Sequence, residues 1–119
     1  MSSLSLGNPD LILTYTDEHM VLDYDRQCLT LDGRLVQLTR KEYDLLALMV
    51  RHEGETIPRG ALLMQVWGYS PEVRTRTLDV HVRRLRIKLG YYAEDCIETI
   101  FGVGYRFQPY RERIDGSIP

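Results

Sequence analysis

No apolar stretch in this chain exceeds the six residues Leu45 to Val50, against the roughly 20 that a membrane-spanning helix needs. Met1 to Leu13 has neither a basic start nor an apolar segment, so no secretory signal is read there and a cytoplasmic setting, away from membranes, is expected. Cysteine is scarce: Cys28 and Cys96 lie far apart, with no CxxC and no Cys/His cluster. That pattern excludes a zinc finger and a disulfide framework; two structural thiols are expected, and a single Cys28–Cys96 bridge stays open. His19, His52 and His81 show no HExxH or comparable spacing, so no metal site is expected. Gly102-Val103-Gly104 is not a nucleotide loop, because no helix follows to cradle a phosphate, and no cofactor is expected. These glycines are instead expected to permit positive φ in a turn. No nucleophile paired with a base stands out, and an enzyme is not expected.

What remains is an ordinary globular composition: 119 residues, 44% apolar and 27% charged, room for one domain with a small core. Residues 1–10 read as a flexible leader, 11–108 as the folded domain and 109–119 as a C-terminal tail. The net charge of -2 hides a steep internal contrast. Residues 1–72 carry 6 Lys/Arg against 11 Asp/Glu, whereas residues 73–89 carry 6 against Asp79 alone. A concentrated basic stretch on an acidic body is a footprint for phosphate, since the local field counts for more than the total.

From Leu11 to Leu38 short apolar runs alternate with turn residues, which predicts a small antiparallel sheet. Asp32-Gly33 between two such runs favours a two-residue hairpin with positive φ at both positions. Thr39-Arg40-Lys41-Glu42 is a capping box that opens a first helix, which Gly54 stops. Pro58 suits the first turn of a second helix, whose Leu62, Leu63, Val66 and Trp67 face one way before Gly68. A loop from Tyr69 to about Arg74 leads to a third helix that runs to Leu89. Ile97–Phe101 and Tyr105–Phe107 around the two glycines read as a closing β-hairpin.

The third helix carries the chemistry. Leu78, Val82, Leu85 and Leu89 form one narrow buried seam at helical spacing. Opposite lie Arg76, Arg83 and Arg84 around Val80, with Thr77 and Ile87. A solvated charged face is the bland explanation, but the arginines lack i,i+4 glutamates, and an exposed valine among them suits an apolar partner. A thymine methyl in the major groove is such a partner, and arginine reads guanine bidentately. Asp79, on the flank, is expected to form an orienting ion pair. A second helix, a turn and a basic third helix give the helix-turn-helix order, and the trailing hairpin supplies a wing.

Four ordered blocks now resemble a known family. They are Thr39-Arg40-Lys41-Glu42-Tyr43-Asp44-Leu45-Leu46; Arg59 with Leu62-Leu63 and Val66-Trp67-Gly68; Arg76 through Arg86; and Ile97 through Phe107. Together they are similar to the OmpR/PhoB-type effector domain of bacterial two-component response regulators, over about Leu22 to Gln108. The resemblance implies an α+β winged helix-turn-helix: an N-terminal antiparallel β-sheet, three helices and a C-terminal β-hairpin wing. It implies sequence-specific binding of double-stranded promoter DNA, commonly as tandem homodimers on direct repeats, and contact with RNA polymerase through the 69–74 loop. It also implies a receiver domain in a full-length regulator, which these 119 residues do not contain.

By position, Arg84 resembles a base-reading arginine with Val80 in apolar contact beside it. Arg76, Thr77, His81, Arg83 and Arg86 resemble phosphate contacts on the helix, with Trp67 and Tyr105 as further backbone contacts. Thr99, Phe101, Gly102, Gly104 and Arg106 belong to the wing. Phe101 departs from the pattern, since some relatives place a minor-groove arginine there. Packing beneath the wing is expected for it, presentation of its ring to the sugar edge being the alternative, while Arg106 is a candidate for phosphate. The competing function is a winged-helix protein-docking module. An exposed Arg/Val helix face speaks against it, because a docking platform shows a larger apolar patch with less charge.

Overall fold

The computed structural model describes residues 13–110. The leader expected over 1–10 and residues 111–119 of the expected tail lie outside the described residues. Four strands come first: β1 (Thr14–Thr16), β2 (Met20–Asp23), β3 (Cys28–Leu31) and β4 (Arg34–Val36), paired antiparallel in sequential order. In β2 the alternation buries Met20 and Leu22 and turns Val21 outward. Asp32 and Gly33 take φ of 50° and 82°, as the two-residue β3–β4 turn requires. The sheet expected from Leu11 onward begins with Thr14–Thr16 as β1, while residues 11 and 12 fall outside the described residues.

Helix α1 (Arg40–Arg51) starts at the capping box read from the sequence. The Glu42 amide donates to the Thr39 hydroxyl at 3.2 Å, and the Thr39 amide donates to Glu42 Oε1 at 2.9 Å. Helix α2 (Arg59–Trp67) ends at Gly68, whose φ of 75° is the left-handed C-cap. The Lys41 ammonium donates to the Val66 carbonyl at 2.7 Å, a cation on the end of α2 where the helix dipole favours one. Helix α3 (Thr77–Leu89) begins a few residues after the expected loop, because Thr75 Oγ1 accepts from the Thr77 amide at 3.1 Å and holds the chain short of the helix.

The closing hairpin is larger than the sequence suggested. β6 (Ile97–Ile100) and β7 (Gly104–Phe107) pair as expected, but β5 (Thr56–Pro58) adds to β7, giving the order β5-β7-β6. Pro58 therefore ends a strand and caps α2 rather than sitting in its first turn, a position where its missing N–H leaves no ladder bond unmade. A 3₁₀ turn (Gly90–Tyr92) and a short helix α4 (Ala93–Cys96), neither expected from sequence, link α3 to β6.

One continuous core joins all these elements. Leu22 and Leu29 from the first sheet meet Leu45, Leu46 and Met49 of α1, Leu62 and Leu63 of α2 and the α3 seam. Phe107 is fully buried and meets Tyr15 edge-on at 5.6 Å, which ties β7 to β1. Cys28 and Cys96 are both free thiols, so the bridge left open by the sequence is not made; burial pushes the Cys96 thiol up to about 12 and keeps it neutral. Beyond β7, Tyr110 packs its ring on His19 and Tyr92 at 4.5 and 5.3 Å. Among the described residues no helix is long and apolar enough to cross a membrane.

Candidate nucleic-acid interface

Leu78, Val82, Leu85 and Leu89 are all buried, so α3 is fixed against α1 and α2 along the seam read from its spacing. That packing decides what faces out. Arg76, Arg83 and Arg84 are exposed, Val80 is 39% exposed and Ile87 69% exposed, a ridge of cations interrupted by aliphatic surface. Thr77 and His81 sit half-buried at its margin. His81 Nδ1 lies 2.8 Å from the Thr77 carbonyl and must donate to it, which leaves Nε2 as an acceptor in the neutral ring. The same ring meets Trp67 edge-on at 4.8 Å, so the end of α2 and the middle of α3 are braced together.

Three of the residues the sequence placed on phosphate are engaged inside the molecule. The Arg86 guanidinium donates through Nη2 to the Ile97 carbonyl at 2.9 Å and to Thr99 Oγ1 at 2.8 Å, spanning from α3 to β6. Arg106 Nε donates to Glu98 Oε1 at 2.7 Å, a cross-strand pair in register on the wing. Tyr105 is buried, and its hydroxyl donates to Asp79 Oδ1 at 2.7 Å. Burial, then the bond to Asp79, pushes that phenol up to about 12, so it stays a donor at neutral pH.

Asp79 is the orienting ion pair anticipated from sequence, but its partner comes from α2. Arg59 Nη1 lies 2.6 Å from the same Oδ1 that Tyr105 reaches, so one carboxylate oxygen joins α2, α3 and the wing. Burial pushes the Asp79 carboxyl up, yet the Arg59 and Tyr105 hydrogen bonds outweigh it and hold the group below its ordinary value. Arg59 stood in the sequence blocks without a role, because twenty positions separate it from Asp79 and no periodicity relates them.

Two wing expectations need correcting. Gly102 has φ of 78°, as a tight turn demands, but Gly104 is not among the residues with positive φ. Gly104 is needed because a Cβ there would overlap the Ile57 carbonyl oxygen and stand 3.0 Å from the Arg59 amide nitrogen: β5 passes directly over it. Phe101 does not pack beneath the wing. It is 90% exposed at the turn between β6 and β7, because the hairpin underside is already filled by Tyr105, Phe107 and Ile97. Between α3 and the wing runs an open groove of about 900 Å³, lined by Arg83, Arg86, Ile87, Thr99, Phe101 and Glu98 among others.

Comparison with known proteins agrees with this geometry. Residues 33–107 match the family described as "Transcriptional regulatory protein, C terminal". The response regulator ArlR of Staphylococcus saprophyticus is 44% identical over 87 residues, 72% of this chain and 40% of that protein. The phosphate regulon transcriptional regulatory protein PhoB of Pseudomonas aeruginosa is 42% identical over 88 residues, 74% of this chain and 38% of that protein. The chain thus spans about two-fifths of the length of the curated relatives it matches. Among solved structures, the Klebsiella pneumoniae RstA DNA-binding domain, in complex with the RstA box, superposes with a TM-score of 0.73 at 29% identity, covering 82% of this chain and 98% of that one. The DNA-binding domain of CpxR from E. coli gives a TM-score of 0.74 with the same identity and coverage.

Proposed function

The chain belongs to the family of C-terminal domains of transcriptional regulatory proteins, a response-regulator output module with a winged-helix fold, and from that premise we propose that it binds double-stranded promoter DNA sequence-specifically. The observation that carries the reading is the outer face of α3: Arg76, Arg83 and Arg84 exposed around Val80, on a helix locked from behind by four buried residues. A rigid basic helix of this length enters a major groove about 12 Å wide. Arg84 reads a guanine edge and Val80 meets a thymine methyl, while Arg76, Thr77 and Arg83 hold phosphates. Trp67 and His81 lie at the rim; His81 bonds phosphate through Nε2 only as the imidazolium, since Nδ1 is committed to Thr77. Arg86 with Thr99 and Tyr105 with Asp79 set the wing against α3, Arg106 braces the two wing strands through Glu98, and the DNA is reached through the surface they position.

Tandem copies on direct repeats, with RNA polymerase contacting the exposed 69–74 loop, complete the proposal. So does a receiver domain in the full-length regulator. The test is selection from a random double-stranded pool at roughly 150 mM salt, where non-specific binding is weak. Enrichment of a half-site, with Arg84→Ala relaxing preference at one base pair by about 1–3 kcal/mol, is expected. Uniform weakening on all sequences by Arg84→Ala removes its base-reading role, and failure to enrich any sequence removes the function.

A further inference from the structure

The wing ends in the least protected aromatic side chain of the described residues. Phe101 is 90% exposed, and Val103, two residues on, is exposed beside it. The turn that carries them is firmly built. Gly102 takes the left-handed conformation, the Val103 amide donates to the Ile100 carbonyl at 2.9 Å, and Arg86 anchors Thr99 just before the turn. A ring held this way loses little freedom on docking.

Charge does not explain the tip. Arg106 is the one cation in residues 97–107, and Glu98 already binds it at 2.7 Å. What the tip offers a partner is therefore an apolar ring and a valine. Its position identifies the partner: Phe101 lines the same groove as Arg83 and Ile87 of α3, so helix and wing tip open onto one side of the molecule. A duplex with α3 in its major groove has one backbone strand crossing between helix and wing, which brings the adjacent minor groove to the wing tip. Apolar side chains at that groove act on sugar faces and base steps, and pyrimidine–purine steps yield most easily.

Resting on the DNA-binding reading above, we propose that Phe101 is an apolar wedge that sets its ring into the minor groove beside the half-site read by α3 and partly unstacks a base step there. It adds affinity without neutralising a phosphate and favours a flexible flanking step at a position where no side chain hydrogen-bonds a base.

Binding of the 119-residue chain and its Phe101→Ala and Phe101→Arg variants to the selected site, over a series of salt concentrations, tests this. Phe101→Ala should lose roughly tenfold in affinity, the size of one aromatic–base contact, with an unchanged slope of log affinity against log salt. Phe101→Arg should steepen that slope by about one. 2-Aminopurine scanned through the flanking minor-groove positions should brighten at one step with the parent chain and stay dark there with Phe101→Ala. Thermal melts should be alike for all three proteins, since the ring has no packing to lose. Affinity of Phe101→Ala within about twofold of the parent, or no bright step with the parent, overturns the wedge while leaving Arg84-dependent recognition standing. A parent chain that selects no sequence overturns the DNA-binding reading, and the wedge falls with it.

Discussion

The carboxylate of Asp79 shows how one atom can set the relative placement of three elements. Arg59 and Tyr105 both reach its Oδ1, yet the two bonds differ in worth. The Arg59 and Asp79 side chains are 40% and 43% exposed, so solvent screens the ion pair to about 0–1 kcal/mol. Tyr105 is 7% exposed as a whole residue, and stripping its hydroxyl of the Asp79 acceptor costs about 1–3 kcal/mol. The oxygen therefore matters more than the charge. Asp79→Asn, which keeps an acceptor, should lose less than about 1 kcal/mol in urea unfolding, and Asp79→Ala about 2 kcal/mol. Equal losses for the two variants would assign the stabilisation to the ion pair. The same logic separates Arg84, with its guanidinium on the outer face of α3, from Arg86, which ties α3 to β6. Both lie on one helix within two positions, and among the described residues only the second has a hydrogen-bond partner inside the molecule.

At the scale of elements, glycine has two uses in one wing, and they predict different losses. Gly102→Ala places a Cβ at φ of 78° with open space around it, a conformational cost of about 1 kcal/mol. Gly104→Ala drives a methyl into the Ile57 carbonyl, so β5 must separate from β7, at about 3 kcal/mol. Thermal melts should rank the parent above Gly102→Ala and Gly102→Ala above Gly104→Ala; the reverse order of the two variants would place the constraint in φ. This element also marks where sequence stops being informative. α1 was readable because a capping box and a broad apolar stripe agree over twelve residues, and the α3 seam because four residues repeat at helical spacing. Thr56-Ile57-Pro58 carries no pattern long enough to read; it is a strand because β7 lies beside it and supplies the ladder. The outer face of α3 was legible for the same reason as its seam, since periodicity gives direction. Partners are not periodic, so the engagement of Arg86, Arg106 and Tyr105 within the wing, and the exposure of Phe101, had no signal in the sequence.

Across the whole molecule, charge does structural work before it meets any partner. Of the six basic residues in 73–89, Arg86 is committed to the wing and Lys88 to Glu42 of α1 at 2.6 Å, which leaves four arginines on the surface. Glu42 is only 1% exposed, and it serves three ends at once. It closes the capping box, complements the N-terminal dipole of α1, and receives a lysine from the last turn of α3, where a cation is favoured. Burial pushes the Glu42 carboxyl up, but the Lys88 and Thr39 hydrogen bonds prevail and hold it below the ordinary glutamate value. The folded state thus holds this proton less tightly than the unfolded chain does. Its contribution is complete above the ordinary glutamate range and vanishes as pH falls through the lower, folded value. Glu42→Gln should lose about 2–3 kcal/mol at pH near 7, with the gap to the parent closing as pH falls below the ordinary glutamate range. Other paired carboxylates make both proteins less stable in acid, so the difference between the two denaturation curves isolates Glu42. A gap that persists unchanged at low pH would mean that the variant fails through packing of the amide, and that the Glu42–Lys88 charge pair does not hold α3 on α1.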